Sequence, residues 1–346
     1  MGLKILHSAD WHLDSPLTGF SPEQRAFLRK ELLKIPGKVA DICRREGCEL
    51  VLLAGDLFDG PATRESILHL KAALAEMAVP VFISPGNHDF VTPDGPWMAE
   101  AWPKNVHIFR RELESVCIPQ LDCRVYGAGY TAMDCPGLLE NFRSEGEESF
   151  CVAVLHGDGV NARSPYCPVT AAQVRDSGLD YLALGHVHQA GSFRSGSTLC
   201  GWPGCPMGRG WDETGEKGVY LAELGAEAEI RFLPLDGPQF IDREVDCDGI
   251  SLRELLAGEQ TRNFIRLTLR GADEEDISQL RDDFPNLILR DLRTPAADLW
   301  EKAGEDTLEG IYFRLLREKL ESDGEIARLA AEVSRKLLDG REVTLP

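Results

Sequence analysis

Five times within the first 190 residues, a short apolar run stops at aspartate, asparagine or histidine. The segments are LKILHSADWH (3–12), ELVLLAGDLFD (49–59), VPVFISPGNHD (79–89), FCVAVLHGD (150–158) and YLALGHVH (181–188). Runs this short, apolar on both faces, read as strands of a sheet covered on both sides. Helical patterns lie between them. Residues 22–46 read as mostly helical, with a turn expected at Pro36-Gly37. Residues 61–78 carry Ile67, Leu70, Leu74 and Met77 at helical spacing, and a shorter pattern covers 170–178. Strands alternating with helices predict a layered α/β core.

The strand ends carry the chemistry. Open α/β folds bind ligands outside the carboxyl ends of their strands. Here those ends present Asp10 and His12, Asp56 and Asp59, Asn87, His88 and Asp89, His156, and His186 and His188. Six of the eight histidines fall in the five segments, which scattered core histidines would not do. The donors are oxygen and imidazole nitrogen with no thiolate, a mixture that suits manganese, iron or zinc better than magnesium or calcium. The inventory exceeds one tetrahedral ion. It fits two divalent ions sharing a carboxylate, an arrangement that activates water and stabilises both oxygens of a displacement at phosphorus. Glycines before Asp56, Asn87 and His186 let the backbone turn tightly enough to present these groups.

The chain has 346 residues and a formal charge of -20, which argues against nucleic-acid binding through the whole surface. A local site whose ions supply positive charge stays open. Ten cysteines without tight pairs, and a start that does not resemble a secretion signal, predict reduced thiols and a cytoplasmic protein. No apolar run is long enough to span a membrane. KGVYLAEL and AEIRFLPL read as antiparallel strands closing a first domain at 1–240. A strand, a polar helix and a second strand follow in a small α+β domain at 241–300. A helical segment at 301–346 is broken at SDG. Arg163, Arg194 and Arg209 lie near expected loops and are candidate substrate contacts.

DWH, GDLFD, GNHD, HGD and GHVH, in this order, resemble the signature of calcineurin-like metallophosphoesterases. LHSADWHLDSP and GRGWDETGEKG further resemble the SbcD/Mre11-type DNA-repair nuclease branch, especially its YhaO-like members. The resemblance implies a four-layer α/β metallophosphoesterase fold with two facing mixed β-sheets, a small α+β capping domain and C-terminal helices. It implies that Asp10, His12 and His188 bind one ion, that Asn87, His156 and His186 bind the other, and that Asp56 bridges. His88 would act on the scissile phosphate, with Asp89 orienting it and Asp59 supporting a ligand histidine. It further implies a manganese-dependent DNA exonuclease and endonuclease, with iron or zinc as the alternative metals. The partners would be DNA, a second copy in a homodimer, and an SbcC/Rad50-like coiled-coil ATPase docked on the C-terminal helices. The competing reading keeps the metals and changes the substrate to a small phosphodiester or a phosphoprotein.

Overall fold

The computed structural model describes residues 2–247, 250–271, 280–293 and 300–338. The chain divides into two compact units, Met1–Ile241 and Asp242–Pro346.

The first unit is built on two six-stranded mixed sheets. One contains β1 (Leu3–Ser8), β2 (Leu50–Leu53), β3 (Val81–Ile83), β4 (Val106–Ile108), β11 (Gly218–Leu224) and β12 (Ala228–Pro234), in the order β12-β11-β1-β2-β3-β4. The other contains β5 (Glu114–Ile118), β6 (Cys123–Gly127), β7 (Phe150–His156), β8 (Tyr181–Gly185), β9 (Gly191–Ser195) and β10 (Thr198–Trp202), in the order β5-β6-β7-β8-β10-β9. Strands β1 to β4 run parallel, as do β6, β7, β8 and β10. The inner faces share one core. Ile5, Leu50, Leu52 and Phe82 come from the first sheet, and Val125, Val152, Val154 and Ala183 from the second.

Helices α1 (Pro22–Leu32), α2 (Ile35–Glu46) and α3 (Arg64–Met77) form the crossovers between β1, β2 and β3. Ser21 caps α1 through a capping box with Gln24, and Pro22 follows where no N–H partner is needed. The break expected at Pro36-Gly37 falls earlier, at Leu33 and Lys34. Pro36 sits in the first turn of α2, the one helical place proline tolerates. Thr63 caps α3, and Asp14 accepts hydrogen bonds from Thr63 N–H (2.8 Å) and Thr63 Oγ1 (2.9 Å). The loop after β1 is thereby tied to the start of α3.

The four-layer expectation is corrected. The outer face of the second sheet carries Ala153, Leu155, Leu182 and Leu184, and it is not covered by a helical layer. Its cover is Leu139 and Val169 from irregular chain plus Val174 from the six-residue helix α5 (Ala171–Asp176). Stacked parallel strands, rather than a symmetric helix–sheet–sheet–helix sandwich, dominate this side. The physical reason lies in residues 128–149. This stretch holds Pro136, Gly137 and Gly146 and no apolar period of 3.6, so nothing holds it in a helix. Helix α4 (Pro96–Ala99) is a single turn after the β3 loop.

The second unit contains a three-stranded sheet in the order β13 (Phe240–Asp246), β14 (Phe264–Arg270), β15 (Leu287–Asp291), with β14 and β15 parallel. Ile265, Leu267 and Leu269 are buried, as the alternation in β14 predicts. Helix α6 (Leu252–Leu256) precedes β14. Of the polar helix expected after it, only the turn α7 (Leu280–Asp283) lies within the described residues. Helices α8 (Leu308–Glu318) and α9 (Leu320–Leu338) follow. The chain leaves helical geometry at Asp323, within SDG, and Phe313 packs with Ala303 and Ala331. No helix among the described residues is long and apolar enough to cross a membrane.

Candidate metal centre

Register brings the strand ends together. Ser8 pairs with Leu53 and His156 with Gly185, so the loops after β1, β2, β3, β7 and β8 emerge at one edge. Backbone bonds then knit the loops. Asp10 N–H donates to Gly55 O and His12 N–H to Asp56 O, both at 2.9 Å. Asp10, His12, Asp56 and His186 all have positive φ, between 46° and 86°. Such backbone costs about 1–2 kcal/mol per non-glycine residue and persists where the surroundings impose it. The approach is also close. A Cβ at Gly86 would lie 2.2 Å from Asp56 Oδ1, and one at Gly185 would lie 2.0 Å from Ala54 O.

Three overlapping groups can each hold an ion: Asp10, His12 and His188; Asp10, Asp56 and His156; and His12, Asp56 and His88. Asp56 Oδ2 is 3.8 Å from His12 Nε2 and 3.3 Å from His156 Nε2, so one carboxylate oxygen faces both imidazoles. His156 Nδ1–H donates to Ala54 O at 2.8 Å. Without an ion its Nε2–H donates to Asn87 Oδ1 at 2.9 Å and faces Asp56 Oδ2, and an ion would displace that proton and take the lone pair. His188 Nδ1 lies 2.7 Å from Glu213, which only accepts, so in the neutral ring His188 Nε2 is a lone pair. It points at His12 Nε2, 3.2 Å away. His12 Nδ1 is buried without a partner. Lone pairs converging on one another fit cations between them, and the donor set suits two divalent ions.

Electrostatics follow from these neighbours. Although burial acts the other way, the Asp56 carboxylate raises His156 to about 9. Burial likewise opposes it, yet His156 and His12 hold Asp56 well below the carboxylate range. Burial, reinforced by Arg209, holds His12 well below an ordinary imidazole.

A second ring of contacts fixes the first, and Glu213 within it was not expected from sequence. Arg209 is mostly buried. It bonds Glu213 with its backbone N–H (2.7 Å) and its guanidinium, and its Nη1 lies 3.6 Å from Asp59. Arg209 Nη2 is also 3.3 Å from His188 Nδ1, but the shorter Glu213 contact claims that nitrogen as a donor. Asp59 in turn accepts from His88 Nδ1 at 2.8 Å, and this bond raises the His88 pKa despite partial burial. One arginine thus steadies the carboxylates that orient His88 and His188. GRGWDETGEKG is a loop, so the spacing of Arg209 and Glu213 gives no signal of the pair.

Several expected residues stand elsewhere. Asp89 does not touch His88. Its carboxylate accepts from the N–H groups of Gly86 (2.7 Å), Leu57 (2.8 Å), Asp56 (3.2 Å) and Phe58 (3.3 Å), which pins two ligand loops. Asp59 reaches His88 rather than a ligand histidine, with His12 Nδ1 4.0 Å away. His186 stands beside the three groups. Its backbone N–H donates to Asp10, its ring centroid is 5.4 Å from His156, and its Nε2 is 3.9 Å from Asp158. Arg194 is spent on the carbonyls of Ser197 and Ala228. Arg163 is exposed on the loop after β7. Arg209 is a support, not a free cation. His7 points into the inter-sheet core, where it bonds Tyr181 and Leu184 O.

Converging carboxylates and imidazoles at strand ends, on this fold, define a metal-dependent hydrolase. The chain belongs to the calcineurin-like phosphoesterase family, whose model matches residues 3–190. It is 34% identical over 244 residues to the uncharacterized metallophosphoesterase YhaO of Bacillus subtilis (strain 168), a match covering 64% of this chain and 57% of that protein. The chain therefore spans little more than half the length of that relative. It is 23% identical over 340 residues to a component of the nuclease SbcCD, its SbcD protein, from the same organism, covering 83% of this chain and 84% of that one. Among solved structures, it is similar to a dimetal phosphatase from Danio rerio, with a TM-score of 0.44 and 14% identity over 67% of this chain and 96% of that one.

Proposed function

We propose that the chain is a two-metal phosphodiesterase acting on small phosphodiesters. The observation that carries this is Asp56 Oδ2, set between the His12 and His156 imidazoles, with His88 held by Asp59 at their side. Asp10, His12 and His188 would hold one ion, Asn87 and His156 the other, and Asp56 both, with His186 adjusting toward the second. Two bound ions supply a nucleophile at neutral pH and charge compensation at phosphorus. The chain's own groups do the rest. Asp59 holds His88 with Nδ1 as donor, which leaves Nε2 facing the ester to donate a proton to the departing oxygen.

A second reading, a manganese-dependent DNA exonuclease and endonuclease, is favoured by the likeness to the nuclease component across most of both chains. On that reading DNA is the substrate. A homodimer and an SbcC/Rad50-like ATPase on the C-terminal helices would be the assembly.

The test is hydrolysis by chelator-stripped protein reloaded with Mn, Fe or Zn. Substrates are bis(4-nitrophenyl) phosphate, 4-nitrophenyl phosphate, and end-labelled duplex and single-stranded DNA, with His88→Ala as control. Metal-dependent cleavage of the diester supports the first reading, with H88A costing little there because 4-nitrophenolate departs without a proton. Cleavage of DNA alone selects the second. Hydrolysis of the monoester alone removes both.

A further inference from the structure

A cavity of about 590 Å³ opens beside the metal centre. That volume is typical of sites that enclose a small organic molecule. His88 and Asn87 form the wall it shares with the centre. His88 brings a ring nitrogen within 4.8 Å of donor atoms of His12 and Asp56 on one side and lines the cavity on the other. Met133 Sδ approaches Asn87 Nδ2 at 3.9 Å, so the far wall also touches this boundary. On the phosphodiesterase reading, in which His88 donates to the departing oxygen, the leaving group lies on the His88 side, where this cavity opens.

The lining says what enters. Ile67, Phe90, Pro96 and Met133 offer apolar surface. The charged side chains in the wall are carboxylates and His88, and among the described residues no lysine or arginine lines it. Glu100 is paired with Lys71, and Asp59 is taken by His88 and Arg209. Asp94 is exposed at the rim. Asp89 is held by backbone N–H groups, and His88, the cation in the wall, is already held by Asp59, so an anion entering here would meet the Asp94 carboxylate at the rim. A flat uncharged ring would lie against Phe90 and Met133 and could donate hydrogen bonds to the rim.

We propose that this cavity receives the leaving group of the ester and selects an uncharged ring there, rejecting a second anionic group. The inference rests on the phosphodiesterase reading and narrows it. The substrate would be a diester whose departing alcohol carries a neutral aromatic or nucleoside-like body, not an extended polyanion.

The experiment uses the full chain loaded with Mn. Two substrates are compared: methyl 4-nitrophenyl phosphate and its analogue with a carboxylate on the ring. Each rate is normalised to its uncatalysed hydrolysis. The expected result is a kcat/KM preference of about tenfold or more for the neutral ring, the size of effect that like-charge juxtaposition produces. Asp94→Lys should narrow that ratio, and Phe90→Ala should raise KM for the neutral-ring diester. Asp94 is exposed, so its variant tests the idea without endangering the fold. Equal normalised kcat/KM for the two diesters, with a ratio untouched by D94K, would overturn the proposal while leaving the diesterase standing. Metal-dependent cleavage of neither diester would remove the reading of the centre, and the cavity's role with it.

Discussion

Glu213 makes no contact with substrate in any reading of the site, yet it decides how His188 is presented. Its carboxylate accepts the hydrogen bond from His188 Nδ1–H and so leaves Nε2 free for an ion. Against its own burial, His188 and Arg209 hold Glu213 well below the carboxylate range. Glu213→Gln would replace an anion by an amide and leave buried Arg209 short of its main partner. Partners of this kind are worth about 10–100-fold in metal affinity. The expected outcome is that loss for one of two bound ions, read by competition with a chelator while the far-UV spectrum stays unchanged. Asp59 acts the same way on His88, with a different signature. Its hydrogen bond raises the His88 pKa, so Asp59→Asn should lower it. The alkaline limb of the kcat/KM profile, where His88 loses its proton, should then move to lower pH. A limb that stays in place would show that His88 is not the acid.

At the scale of elements, the centre depends on how closely the loops after β2 and β3 approach. Gly86 sits where a Cβ would lie 2.8 Å from both Asp56 N and His156 Cγ, besides its clash with Asp56 Oδ1. No flexible side-chain tip is available to yield, so the β3 loop must move. Displacements near 1 Å cost about a hundredfold in rate. Gly86→Ala should therefore lose roughly that much activity while β3 and its neighbours stay folded. Retained activity would show that the loop has slack.

The strand ends were legible because buried parallel strands are short, apolar and punctuated, so their polar residues stand out. The supports were not legible by the same rule. Glu213 and Arg209 enter from a loop before β11, and periodicity does not reveal a contact made across the fold. Asp59 and Asp89 both end such runs, and spacing alone could not say which reaches His88. The cover on the second sheet was misjudged for a related reason. A resemblance carries an idealised layer count, whereas residues 128–149 carry no helical period to build that layer.

The two sheets of the first unit meet across an apolar core, and His7 is the polar strut inside it. Leu184 O can only accept, so His7 Nε2 carries the proton and donates to it at 3.0 Å. His7 Nδ1 is then an acceptor, and Tyr181 O–H donates to it at 2.7 Å. Only the Tyr181 bond needs the neutral ring; the bond to Leu184 O survives protonation and opposes the shift, but burial outweighs it and lowers the His7 pKa from 6.5 to about 3. The unfolded chain binds this proton near 6.5 and the folded chain only near 3. Above pH 6.5 the two states agree, and the stabilising effect is fully present. Between pH 6.5 and 3 the unfolded state binds more protons, so stability falls as the pH falls. The shift of about 3.5 units corresponds to a loss on the order of 4–5 kcal/mol across that window. His7→Gln offers one donor and one acceptor but no titrating group. Urea midpoints should show it less stable than the parent at pH 8, with the gap closing as the pH is lowered toward 4. Parallel curves would mean that the acid sensitivity of this fold arises elsewhere. The strut ties β1 to β8, and Asp10 and His186 lie just beyond those strands. His7→Gln should therefore also loosen the metal centre at pH 8, where no ligand protonation intervenes. Metal affinity equal to the parent's in H7Q at pH 8 would show that the strut and the centre are uncoupled.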